Sequence, residues 1–162
     1  TVNKEILEEL AKAGCKVIQY GVESGSQKIL NSIRKGITVK QVRKAIKWSV
    51  ETGIIPVCSF MVPHPEDTME TIEETKKFME ELKSLGALVV ISLTTPFPGT
   101  YLYEHAEELG LKFILEDTDR YDMATPVFTT KNLTLEQIEE VFDDLISLCM
   151  TQESFQLLSK EL

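Results

Sequence analysis

Apolar residues recur along the chain in two periods. Spacings of three and four mark helices, with Ile6, Leu7 and Leu10 in 3–13 and Ile29, Leu30 and Ile33 in 27–33. The same spacing joins Val39, Val42, Ala45, Ile46 and Val50, and then Met69, Ile72, Met79, Leu82 and Leu85. A last stripe runs through Leu135, Ile138, Val141, Phe142, Leu145 and Cys149. Trp48 lies off its helical stripe. Between the helices, apolar and β-branched runs at 16–22, 54–62 and 87–94 predict strands. The near-continuous run at 54–62 fits a strand covered on both faces.

The breaks carry their own signals. Gly14, Gly53, Gly86 and Gly110 close segments, and Arg34-Lys35-Gly36 puts cations at a helix C-terminus. Thr38 with Gln41, and Thr134 with Gln137, have the spacing of capping boxes, flanked by apolar pairs placed as hydrophobic staples. Asp67 is expected to cap the helix that follows it, with Glu70 three residues on. A helix from about 101 to 109 is expected next. Residues 111–133 read as irregular apart from a short strand at 112–115. The face with Glu73, Glu74, Lys76, Lys77, Glu80, Glu81 and Lys83 reads as solvated.

Strands alternating with helices imply a parallel sheet. Three strands cannot close a barrel, and both outer strands are expected to have bare edges. The chain is therefore expected either to pair with a second copy through those edges or to be an arc of a larger ring, and the arc is the preferred reading. The three strand-to-helix loops then gather at one end of the sheet, where α/β folds bind ligands. Within the first, Gly21-Val22-Glu23-Ser24-Gly25-Ser26, Glu23 stands out, because a carboxylate beside a buried strand needs a partner.

Composition bounds the function. With 162 residues, 43% apolar and 27% charged, the chain has the make-up of one soluble globular domain. A net charge of −9 argues against nucleic acid as a partner, and no apolar run is long enough to span a membrane. Cys15, Cys58 and Cys149 are odd in number and far apart, which fits a reducing, cytoplasmic setting. His64 and His105 have no third partner at ligand spacing, so no metal site is assigned.

Three stretches together resemble the second half of a radical S-adenosylmethionine (SAM) enzyme core. They are Gly21 to Ser26 with Arg34-Lys35-Gly36, then Phe60-Met61-Val62-Pro63-His64-Pro65-Glu66-Asp67-Thr68, then Thr95-Pro96-Phe97-Pro98-Gly99-Thr100-Tyr101-Leu102-Tyr103. Within that superfamily the chain is most similar to the cobalamin-binding class, to which the anaerobic magnesium-protoporphyrin IX monomethyl ester oxidative cyclase belongs. Asp119-Arg120-Tyr121-Asp122 and Thr125-Pro126-Val127 add to this likeness.

The resemblance implies an α/β fold, three parallel strands with flanking helices forming half of a TIM-like (β/α) barrel over 1–133. A helical extension is expected over 134–162. It implies SAM, a 4Fe-4S cluster whose ligands lie outside this chain, and cobalamin in a separate domain. The implied partners are a small-molecule substrate and the N-terminal half of the barrel. The implied reaction is reductive cleavage of SAM to a 5′-deoxyadenosyl radical that attacks an organic substrate, a tetrapyrrole in the named cyclase.

By the same resemblance Glu23 and Ser24 bind the ribose or aminoacyl part of SAM, and Lys35 faces its carboxylate. Backbone near Phe60 to Val62 and near Thr94 flanks the adenine. Two departures stand out. The family's C-x3-C-x2-C motif is absent, and a loop that commonly reads Gly-Leu-Pro-Gly-Glu-Thr reads Pro63-His64-Pro65-Glu66-Asp67-Thr68. Read from the residues alone, two alternatives stay open: half of another β/α barrel with a divalent metal on Glu23, Glu66 and Asp67, and a self-associating interaction module. Since the cysteines lack cluster spacing, reconstituting this 162-residue chain with iron and sulfide is expected to give no stoichiometric four-iron absorbance. A stable four-iron signal refutes that.

Overall fold

The computed structural model describes residues 2–115 and 117–149. Helix α1 (Lys4–Lys12), capped by Asn3, leads into strand β1 (Val17–Glu23), and a short helix α2 (Gln27–Ser32) and a longer α3 (Val39–Glu51) follow. Strand β2 (Ile55–Val62), helix α4 (Met69–Ser84) and strand β3 (Leu88–Leu93) complete the main sheet. All pairing in it is parallel, in the order β1-β2-β3, so β2 is central. That is the arc expected from the alternation of strands and helices.

Strand alternation gives the sheet two faces. Val22 on β1, Cys58, Phe60 and Val62 on β2, and Val89 and Leu93 on β3 point to the helices and form one core with Ile46, Met79 and Leu82. Burying each large side chain of that set is worth roughly 1.5–3 kcal/mol. The other face, with Gly21, Ser59, Met61, Val90 and Ser92, is covered by no helix in this core and would line the interior of a closed ring. α6 (Leu135–Ile146) enters the same core through Ile138, Val141 and Leu145, beside α4 and β3. The expected extension over 134–162 is therefore packed on the sheet where it is described, and its part beyond 149 lies outside the described residues.

Capping boxes form at Thr38 and Thr134 as their spacing predicts. The third one starts at Thr68, with Thr71 as its partner, and not at Asp67. Asp67 is instead buried one residue earlier, where its carboxylate serves the loop. Ile6, Val50, Met69 and Leu135 fall on the apolar stripes but are exposed, each at an end or rim of its helix. Buried Ser49, Thr71, Phe78 and Thr75 take inward places instead.

The third loop is followed by only one turn of helix, α5 (Tyr101–Glu104), where a run to 109 was expected. The chain turns at Gly110 into a two-stranded antiparallel ribbon, β4 (Lys112–Phe113) with β5 (Phe128–Thr129), over a small second core of Ala106, Leu111, Val127 and Phe128. Between the two ribbon strands, the Met123 carbonyl accepts the Leu93 N–H of β3 at 2.7 Å. This removes part of the bare edge from which pairing between copies was expected.

Position 25 admits no side chain. A Cβ there would stand 2.6 Å from Phe78 Cβ and 2.7 Å from Thr75 Cα. Gly25→Ala is therefore expected to destabilise the fold by at least about 2 kcal/mol in chemical denaturation. An unchanged midpoint would show that the first loop does not rest on α4.

Candidate functional site

The carboxyl ends of β1, β2 and β3 lie side by side, and three loops leave from them: 24–26, 63–68 and 94–100. The first loop is stapled down by threonine. Thr75 Oγ1 donates to the Thr71 carbonyl at 3.0 Å, accepts the Gly25 N–H at 3.1 Å and lies 3.1 Å from Ser24 Oγ. Ser24 Oγ in turn accepts the Ser26 N–H at 3.1 Å. The Ser24 hydroxyl is thus engaged within the loop itself.

Glu23 ends β1 in the left-handed region, at φ 69°, and the ladder slips there: Gly21 pairs with Ser59 and Glu23 with Phe60. Its carboxylate folds back over Gly21, where an added Cβ would meet Glu23 Oε1 at 2.8 Å and Lys35 Nζ at 3.2 Å. Lys35 Nζ donates to Glu23 Oε1 at 2.7 Å, so the partner that Glu23 needs is Lys35. The pair is half-buried on the helix-free face, and Oε2 has no partner among the described residues.

The second loop is built around a buried carboxylate. Asp67 Oδ2 accepts the His64 N–H at 2.7 Å, and Oδ1 accepts from Thr71 Oγ1 at 2.7 Å. The Asp67 carbonyl accepts from Asn132 Nδ2 at 3.0 Å. Burial pushes the Asp67 carboxyl above its ordinary range, against the pull of these bonds. The His64 ring is 6% exposed and lies near the charges of Asp67, Glu23 and Lys35. Burial outweighs Asp67 and Glu23 and holds the ring neutral, with its proton affinity lowered. In the third loop the Thr94 N–H donates to the Val62 carbonyl at 2.8 Å.

Among the described residues, the buried side-chain nitrogen and oxygen atoms with no hydrogen-bond partner are Ser26 Oγ, His64 Nε2 and Thr94 Oγ1. One belongs to each of the three loops. Leaving a buried polar group unpaired costs about 1–3 kcal/mol, and such groups gather where a ligand completes the structure.

The residues singled out from the sequence divide accordingly. Glu23 and Lys35 are brought together, and Thr94 stands at the same rim. Phe60 and Val62 turn their side chains into the helix-side core, so only their backbone can face a ligand. Ser26 belongs to the first stretch read from the sequence and stands at the N-cap of α2 without a side-chain capping bond; Thr71 and Thr75 were not singled out, although they are polar residues four apart on a face otherwise apolar. Glu66 pairs with Lys131 at 2.8 Å, away from Glu23 and Asp67, and among the described residues no group of three His, Cys, Asp or Glu is placed to hold a metal. That arrangement does not supply the three-carboxylate metal site that the residues alone leave open. Burial pushes the Cys58 thiol up to about 12, as fits a packed side chain.

A parallel β/α arc with polar groups at its carboxyl rim is the architecture of a β/α-barrel enzyme core. The model of the Radical SAM superfamily matches residues 1–79 of the chain. It is 34% identical to an uncharacterized methyltransferase of Pyrococcus horikoshii over 87% of the chain and 30% of that protein. It is 29% identical to the anaerobic magnesium-protoporphyrin IX monomethyl ester cyclase of Rubrivivax gelatinosus over 77% of the chain and 22% of that protein. Its fold matches that of the radical SAM methyltransferase TsrM from Kitasatospora setae, solved with cobalamin and a [4Fe-4S] cluster. That match has a TM-score of 0.58 and 20% identity, over 94% of this chain and 29% of that one. The chain thus spans between a fifth and a third of these proteins' lengths. Among the described residues no helix is long and apolar enough to cross a membrane.

The neutral His64 has a consequence for stability. An unfolded chain takes up a proton at this histidine near pH 6.5, whereas the folded one does so only at lower pH. Stability should therefore fall as pH drops from 7.5 through 6, and His64→Gln should flatten that slope. Thermal midpoints at the two pH values check it; equal slopes in both proteins refute it.

Proposed function

We propose that this chain is the SAM-facing arc of a radical SAM enzyme. In this reading Glu23, Lys35 and the hydroxyls of Ser26 and Thr94 hold the polar parts of SAM. Backbone at Phe60 to Val62 and at Thr94 flanks the adenine, while Ser24 keeps the first loop in shape. The observation that carries the reading is the set of unpaired buried polar atoms at one rim, one per loop, beside a carboxylate with an unpartnered oxygen.

The chemistry of the residues fits the ligand. Ribose hydroxyls need acceptors, which Glu23 provides, and an aminoacyl carboxylate needs a cation, which Lys35 provides. When bound at a four-iron cluster, SAM supplies hydrogen-atom abstraction from an organic substrate. The cluster's ligands are not among these residues. The chain's own part is to bind and orient: the Glu23–Lys35 pair fixes one end of the ligand. Met61 and Val90 share the helix-free face with Ser59 and Ser92 and give the ligand a floor of mixed polarity.

The finer reading is that the whole protein carries cobalamin in a separate domain and acts on a tetrapyrrole, as a cyclase or methyltransferase. Its support is the named activity of the Rubrivivax relative and of methyltransferases among the similar proteins.

In the intact protein, Glu23→Ala is expected to raise the dissociation constant for SAM by roughly 10- to 100-fold, the loss of one charged hydrogen-bonding group worth about 1.5–3 kcal/mol. Isothermal titration measures it, with thermal unfolding to verify the fold. Unchanged affinity removes Glu23 from the site.

A further inference from the structure

We infer that Gly21 is a positioning residue: the space left by its missing side chain is where the Glu23–Lys35 pair lies. The inference rests on the proposed reading of that pair as a contact to SAM.

A glycine inside a strand weakens it, since it adds no packing and loses more freedom on folding than other residues. Two needs commonly retain one: a left-handed backbone, or close approach by another group. Gly21 is not among the residues of positive φ, so its backbone accepts a side chain. What stands over it is charge. An added Cβ would lie 2.8 Å from Glu23 Oε1 and 3.2 Å from Lys35 Nζ, and the next atom, at 3.8 Å, is the Glu23 carboxyl carbon. Gly25 makes the contrast, because its Cβ would strike the backbone of Thr75 and Glu74 and the Cβ of Phe78. Gly25 makes room for the fold, and Gly21 makes room for two charged tips.

Gly21 is exposed on the helix-free face. Ser59, its partner across the ladder, donates its hydroxyl to the Tyr20 carbonyl at 3.3 Å. The two charged residues are anchored by their backbones. Glu23 sits at φ 69° beyond the slip in the ladder. Lys35 lies between Arg34 and Gly36, both left-handed, and its N–H donates to the Leu30 carbonyl at 2.9 Å. With the backbones held, only side-chain torsions are free, so the surface beneath the tips decides where they meet, at 2.7 Å. A methyl group at position 21 would lift the carboxylate off the sheet and take Lys35 Nζ with it. The charges of the site would move while the core stayed as it is.

A graded series in the intact protein tests this. Gly21→Ala is expected to raise the dissociation constant for SAM at least about fivefold in isothermal titration, because a contact displaced by part of an ångström loses most of its value. Gly21→Val should raise it as far as Glu23→Ala does. Thermal midpoints of both variants stay at or above the parent's, since a Cβ favours the strand and meets only movable tips. Added to Glu23→Ala, Gly21→Ala should cost no more than about a further threefold, because the carboxylate it displaces is gone.

If Gly21→Ala lowers the midpoint along with the affinity, the glycine serves the fold and the positioning role is refuted. If the losses from Gly21→Ala and Glu23→Ala add in full, the methyl group acts on the ligand directly, and the role is refuted as well. If Glu23→Ala weakens binding and Gly21→Ala does not, this inference fails while the reading of the site stands. If Glu23→Ala leaves affinity unchanged, both fail.

Discussion

The first loop can lie on α4 only because position 25 has no Cβ. With a methylene there, Phe78, the Thr75 backbone and the Glu74 carbonyl would all be struck within 3 Å. The close approach puts Thr75 Oγ1 within reach of both the Gly25 N–H and Ser24 Oγ, and it turns a surface loop into part of the core. Since α4 also begins the chain of bonds through Thr71 and Asp67, one helix sets the height of two of the three loops. Lengthening or shifting α4 would move both together.

The sheet divides the labour between its faces. Toward the helices it is a packed hydrocarbon layer, and the polar residues that intrude there, Tyr20 and Ser49, satisfy each other at 2.8 Å. α3 and α4 are further joined by a forked ion pair between Arg43 and Glu81, with the guanidinium over the Phe78 ring. The unpaired buried polar atoms belong to the loops at the carboxyl rim. The packed core of the fold is thus concentrated on one side of the sheet.

Much of this was legible in the chain. Parallel pairing followed from the alternation of strands and helices, and the caps at Thr38 and Thr134 followed from their spacing. Glu23 was conspicuous because a carboxylate at a strand end must be compensated. What could not be read was which polar residue meets which. Asp67 and Thr68 are adjacent, and both are good caps by type. The choice between them was decided by the buried His64 N–H, a demand made by tertiary structure. Thr71 and Thr75 looked like breaks in an apolar stripe, and only the loop packed on them explains their place. The expected helix over 101–109 stopped at Glu104 for a similar reason. The chain there must reach the ribbon formed with Phe128 and Thr129, a pairing between residues too far apart in sequence for local pattern to reveal.

The unpaired buried polar atoms of the described residues are concentrated at the rim. Of the described residues, it holds the left-handed Glu23, a buried carboxylate at Asp67 and all three buried polar atoms that lack partners. Each is unfavourable to folding, and none is needed to build the arc, since the helix-side core and the parallel ladder would stand without them. Unfavourable features scattered over a molecule need no common cause. Here the three unpaired atoms fall one in each of three loops brought together by a parallel sheet, at the end where such sheets bind ligands. A bound polar molecule would satisfy the open groups at once, and that accounts for their survival better than three separate structural reasons would.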